Sequence, residues 1–114
     1  MDKFKEALLQ EVIPQVERDY RVLPEPKSRA IAGLSMGGSE SLVVGLNNLD
    51  RFSWIGAFSS GGLNTNFDSQ FPKLDKKTND KLRLLWIGCG EQDGLLAGNR
   101  QFSEWLKNKE IRRD

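Results

Sequence analysis

Ser35 has neighbours that suit it to acyl chemistry. It lies in Gly33-Leu34-Ser35-Met36-Gly37, a G-x-S-x-G pattern, preceded by the apolar run Ala30-Ile31-Ala32 and followed by residues with helical spacing. A serine on a sharp turn between a buried strand and a helix is pushed clear of the sheet. Glycines flank it because side chains there would collide with the strand and helix. The hydroxyl is then placed to attack a carbonyl, with the helix amino end and the Met36 backbone N–H facing the negative charge that develops. The same residues fit a plainer role, in which the glycines permit a tight turn and Ser35 caps the helix. The five residues alone leave both readings open.

Asp93 is the second candidate. It follows the apolar run Leu82 to Ile87, as Ser35 follows Ala30-Ile31-Ala32, so both residues are expected at the carboxyl edge of a parallel sheet, where open α/β sheets bind ligands. Asp93-Gly94 is also a good turn or cap dipeptide, and Glu91 is an alternative acid nearer the strand. What is missing is a base. A serine hydroxyl is a weak nucleophile until something takes its proton, and the 114 residues contain no histidine. None of the 17 basic residues stands in a recognisable Ser-Lys arrangement. Cys89 is the only cysteine, which excludes an internal disulfide and, without histidine, a zinc site. No metal or cofactor is expected, and Cys89 reads as a small buried residue.

The elements that must position these residues can be read from periodicity. Phe4, Leu8, Leu9, Val12, Ile13, Val16 and Tyr20 recur at three- and four-residue steps, predicting an amphipathic helix over residues 2–20 with a kink or restart near Pro14. Pro24-Glu25-Pro26 makes a connecting loop. Residues 28–34 predict a strand buried on both faces, and residues 37–47 a helix whose Gly38 and Gly45 allow close approach to the sheet. Trp54 to Phe58 and Leu82 to Ile87 predict two interior strands. Leu95, Phe102, Trp105 and Leu106 mark a closing helix, and the polar stretch from residue 64 to 80 reads as a surface loop with at most a short helical turn. The order predicts an α/β fold, a short parallel sheet flanked by helices, in a single domain over residues 1–114. Trp54, Trp86 and Trp105 are expected in the core rather than stacked on sugar rings.

Composition removes several function classes. An apolar share of 38% suits a globular domain, and 17 basic against 16 acidic residues leave a net charge of +1, so no broad field draws the chain to nucleic acid or an anionic membrane. The basic end from Lys107 to Arg113 reads as a solvated helix terminus. No apolar run is long enough to span a bilayer, and the charged amino end is not a signal peptide.

The residues around the pentapeptide extend its meaning. Arg29-Ala-Ile-Ala-Gly-Leu-Ser-Met-Gly-Gly38, then Gly45-Leu46-Asn47, Phe52, Ser59, Gly61-Gly62 and Trp86-Ile87-Gly88-Cys89-Gly90-Glu91-Gln92-Asp93, resemble the esterase D and feruloyl-esterase-like group, carbohydrate esterase family one. The opening helix, with Glu11-Val12-Ile13-Pro14, resembles the one that precedes the nucleophile strand in that group. The resemblance implies an α/β-hydrolase fold, Ser35 as nucleophile, Met36 N–H as one oxyanion donor and Asp93 as triad acid. The implied substrates are feruloyl or acetyl esters on plant polysaccharide, or small acyl esters. It further implies that the histidine and the second oxyanion donor belong to segments outside these residues. The chain is therefore expected to be part of a longer enzyme, partial as an α/β-hydrolase domain, inactive alone, and prone to self-association through exposed sheet edges. Location is left open, with an exported parent implied. A non-catalytic binding module and a serine acyltransferase are the alternative functions.

Overall fold

The computed structural model describes residues 2–63 and 66–114. Three strands form one parallel sheet in the order β1 (Ala30–Leu34), β2 (Trp54–Phe58), β3 (Leu84–Gly88), with Ala30, Trp54 and Leu84 in register at one end and Leu34, Phe58 and Gly88 at the other. The helices are α1 (Asp2–Ala7), α2 (Ile13–Asp19), α3 (Met36–Leu46), α4 (Phe67–Gln70) and α5 (Leu96–Asn108). The expected fold class is the one observed.

The helix restarts near Pro14, as the sequence suggests, after a distortion in the turn before it. A π-helical turn, Leu8–Val12, joins α1 to α2, and the Ile13 N–H donates to the Leu8 carbonyl. Proline has no N–H, and its ring crowds the carbonyl four residues back; the wider turn accommodates it, and Pro14 falls at the start of α2, where it is tolerated.

Strand side chains alternate between two faces. Ile31, Ile55, Ala57, Leu85 and Ile87 point toward α3 and α5, and Ile55, Ala57 and Leu85 share one core with Leu42, Leu46, Phe102 and Leu106. Gly45 makes that approach possible: a Cβ there would lie 2.8–2.9 Å from atoms of Ile55 and Ile31. A smaller cluster of Leu9, Val44 and Phe52 docks the amino-terminal helices beside α3.

The opposite face corrects two expectations. Leu34, Trp54, Phe58 and Trp86 are 68%, 38%, 45% and 44% exposed, so β1 is not buried on both faces and two of the three tryptophans lie outside the core. Among the described strands only β2 has a strand on each side; β1 is an open edge, and the outer side of β3 is met by Asp114, whose N–H donates to the Leu85 carbonyl at 2.8 Å and whose carbonyl accepts the Ile87 N–H at 2.7 Å. Among the described residues the helices pack on one face, and the apolar residues of the other face meet solvent. Trp105 does pack, tilted or stacked against Phe67, Phe71 and Phe102 at 5.7–5.9 Å.

The polar stretch before β3 also differs from a plain surface loop. Residues 64 and 65 lie outside the described residues, but α4 and a 3₁₀ turn, Lys76–Asp80, follow, and Phe67, Phe71 and Leu74 are buried in the main core. Their spacing of four and three residues is helical; the dense Asn, Asp and Lys around them hides it.

Candidate active site

The turn after β1 is where backbone conformation becomes unusual. Ser35 has φ 57° and ψ −118°, a region that costs a non-glycine residue about 1–3 kcal/mol and persists only where its surroundings enforce it. They do so here. The Ser35 N–H donates to the Phe58 carbonyl at 2.9 Å, and its own carbonyl accepts from Gly38, Ser39 and Gly61 N–H at 3.0, 3.2 and 3.1 Å. The side chain is left exposed at the carboxyl edge of the sheet.

The glycines around Ser35 divide differently from the expectation. A Cβ on Gly33 would lie 2.2 Å from the Gly37 carbonyl oxygen, so β1 and the first turn of α3 touch only because Gly33 has no side chain. A Cβ on Gly37, by contrast, would meet nothing within 4 Å. The second close approach belongs to Gly38, where a Cβ would lie 2.7 Å from Ser60 Oγ and 3.2 Å from the Phe58 oxygen. Met36, the first residue of α3, is at a position whose N–H has no acceptor within the helix, and its side chain is exposed.

Asp93 stands on the loop between β3 and α5. One carboxylate oxygen accepts the Leu95 N–H at 2.9 Å, and the Asp93 carbonyl accepts from Leu96 N at 3.1 Å, so the residue ties down the start of α5 as a turn residue would. Its carboxyl is held below the ordinary aspartate range by the Leu95 N–H first and then by the Ser59 hydroxyl; desolvation opposes them, and the Cys89 thiol adds the least. Ser59, which follows β2, has a positive φ of 47°, and its N–H donates to the Gly88 carbonyl at 2.7 Å, so the loops after β2 and β3 are joined there. Glu91 is exposed. Cys89 is half-buried, less enclosed than expected.

Sequence reasoning missed Asn99. It is 3% exposed on α5, and its Nδ2 group reaches the Ser60 carbonyl at 3.1 Å, the Leu95 carbonyl at 2.9 Å and Cys89 Sγ at 3.8 Å. One amide thus connects the loop after β2, the loop after β3 and the first turn of α5. A signal was present: Leu95, Asn99, Phe102 and Leu106 form one helical stripe, in which Asn99 is the only polar residue. Asn99→Ala should lower the unfolding free energy by about 2 kcal/mol through unmade buried hydrogen bonds, measured by urea denaturation. An unchanged midpoint would show that the amide holds nothing.

Ser35 and Asp93 therefore follow β1 and β3 at the same carboxyl edge of the sheet, with β2 between them, one exposed on a strained turn and the other held ionised. A hydroxyl, a helix amino end and a carboxylate are three of the groups that acyl transfer uses.

The model of the family described as "Putative esterase" matches residues 1–111. An endo-1,4-beta-xylanase/feruloyl esterase of Xylanibacter ruminicola is 27% identical over 92 residues, which are 81% of this chain and 12% of that protein. Among solved structures, a ferulic acid esterase superposes with a TM-score of 0.80 at 24% identity, over 97% of this chain and 51% of that one. A CE1 ferulic acid esterase of Anaeromyces mucronatus in complex with ferulic acid gives 0.80 at 21% identity, over 98% and 44%. At these identities the superpositions establish a shared fold, and this chain spans about half the length of those solved proteins or less.

Proposed function

Because the chain belongs to the esterase family whose model spans residues 1–111, we propose that it carries the nucleophile and acid of a serine carboxylic ester hydrolase acting on feruloyl or acetyl esters of plant polysaccharide, or on small acyl esters. The observation that carries this reading is the backbone of Ser35, a non-glycine residue at φ 57° and ψ −118° between a strand and a helix, enforced by the contact at Gly33. Similarity to a feruloyl esterase supports the substrate class.

In this mechanism Ser35 Oγ attacks the ester carbonyl as a base removes its proton. The Met36 N–H and the amino end of α3 stabilise the oxyanion of the tetrahedral intermediate. Its collapse releases the alcohol with a proton returned by the base, leaving an acyl-Ser35 ester that water hydrolyses by the same two steps. Asp93 orients the base and stabilises its protonated form. No histidine is among the 114 residues, so an imidazole has to be supplied to them. Residues 1–114 act here as the portion of an α/β-hydrolase domain running from the nucleophile turn to the acid loop.

The chain should cleave 4-nitrophenyl ferulate when free imidazole is added and show no turnover without it. Release of ferulic acid would mark hydrolysis; transfer of the feruloyl group to an added alcohol in preference to water would mark an acyltransferase instead. No difference between the chain and imidazole alone would sink the proposal. The pH profile has a definite sign. Asp93 is held below its ordinary range, so its carboxylate stays charged as pH falls through neutrality. The rescued rate should fall only as imidazole protonates, near pH 6.5 to 7 on the scale of an ordinary histidine side chain, at about 6.5.

The exposed sheet face also bears on the chain's partners. Leu34, Trp54, Phe58 and Trp86 form an apolar surface beside the open edge of β1, a combination that favours association with another chain. In this reading the isolated chain self-associates; a monodisperse monomer by light scattering at tens of micromolar would contradict it.

A further inference from the structure

We propose that Gly61 and Leu95 set the size of acyl group that Ser35 accepts. A Cβ built on Gly61 would stand 3.7 Å from Ser35 Oγ and 3.3 and 3.5 Å from the two Leu95 methyl carbons. Any side chain at position 61 would therefore touch both the nucleophile and Leu95. With glycine there, the apolar Leu95 side chain, 36% exposed, is left uncovered within the reach of one side chain of the nucleophile.

The backbone of both residues is fixed. Gly61 N–H donates to the Ser35 carbonyl at 3.1 Å and Gly61 O accepts from the Ser39 hydroxyl, so this backbone is tied to the turn that bears the nucleophile. Leu95 is held by its N–H to Asp93, and its carbonyl by Asn99. An uncovered isobutyl group near the attacking oxygen suits a planar apolar acyl group better than a charged one. Leu95 is thus a specificity-determining residue, and Gly61 the position that keeps its surface reachable. This rests on the esterase reading above.

The test uses the chain with imidazole and two substrates that share a leaving group, 4-nitrophenyl acetate and 4-nitrophenyl ferulate, so that only the acyl group differs. Gly61→Ala should lower the feruloyl-to-acetyl ratio of kcat/KM by about tenfold, the scale of one misplaced methyl in a pocket. The added methyl would press on the Leu95 side chain, so Gly61→Ala introduced into a Leu95→Ala background should change the ratio far less. An unchanged ratio in Gly61→Ala, or an equal drop in both backgrounds, would overturn the proposal while leaving the esterase reading intact. If the unmodified chain cleaves neither ester in a Ser35-dependent way, the esterase reading itself fails and the acyl wall falls with it.

Discussion

Gly33→Ala should cost the chain at least about 3 kcal/mol, at the upper end of what overpacking costs a protein interior. The new methyl would sit 2.2 Å from the Gly37 carbonyl oxygen, and that neighbour is backbone, so no side chain can swing aside. The helix cannot retreat easily either, because Gly38 already packs against Ser60 Oγ and the Phe58 carbonyl. Since a whole domain is stable by only about 5–15 kcal/mol, and this sheet has one apolar face in solvent, the variant should be largely unfolded or have a displaced turn. Gly37→Ala is the matched control. It adds a methyl to open space within α3, where alanine is favoured over glycine by about 0.5–1 kcal/mol, and should stabilise slightly. Urea midpoints by far-ultraviolet circular dichroism separate the two; similar midpoints would mean that the close approach at Gly33 is not what shapes the turn.

The second large effect is on chemistry. Ser35→Ala should reduce imidazole-dependent cleavage of 4-nitrophenyl ferulate to the rate of imidazole alone, because no acyl-enzyme can form. The fold should be untouched or slightly firmer, since the Ser35 side chain makes no cap hydrogen bond to α3 and is exposed. A variant that keeps the rescued rate would move the nucleophile elsewhere and leave Ser35 as a turn residue.

The site was readable in part because each of its signals is local. Gly33 and Ser35 stand between a strand and a helix, and a turn that tight leaves few residue types allowed. Gly37 and Gly38 show the limit of such reading: the pattern names the first, while the close contact falls on the second, since which glycine meets the next strand depends on how α3 lies against β2. Trp54, Phe58 and Trp86 read as interior because both faces of their strands are apolar, a pattern that predicts burial without saying what does the burying. Asn99 was invisible as a site residue because its partners, Ser60, Cys89 and Leu95, come together only through the packing of α5 on the sheet.

The most direct test of the central claim is the intact mass of the chain after exposure to a fluorophosphonate ester, with and without imidazole, beside Ser35→Ala. A single adduct that forms in the presence of imidazole, maps to Ser35 and is absent from the alanine variant is the predicted result. Equal labelling of the variant, or no adduct on a chain whose circular dichroism shows it folded, would contradict the assignment of Ser35 as the nucleophile.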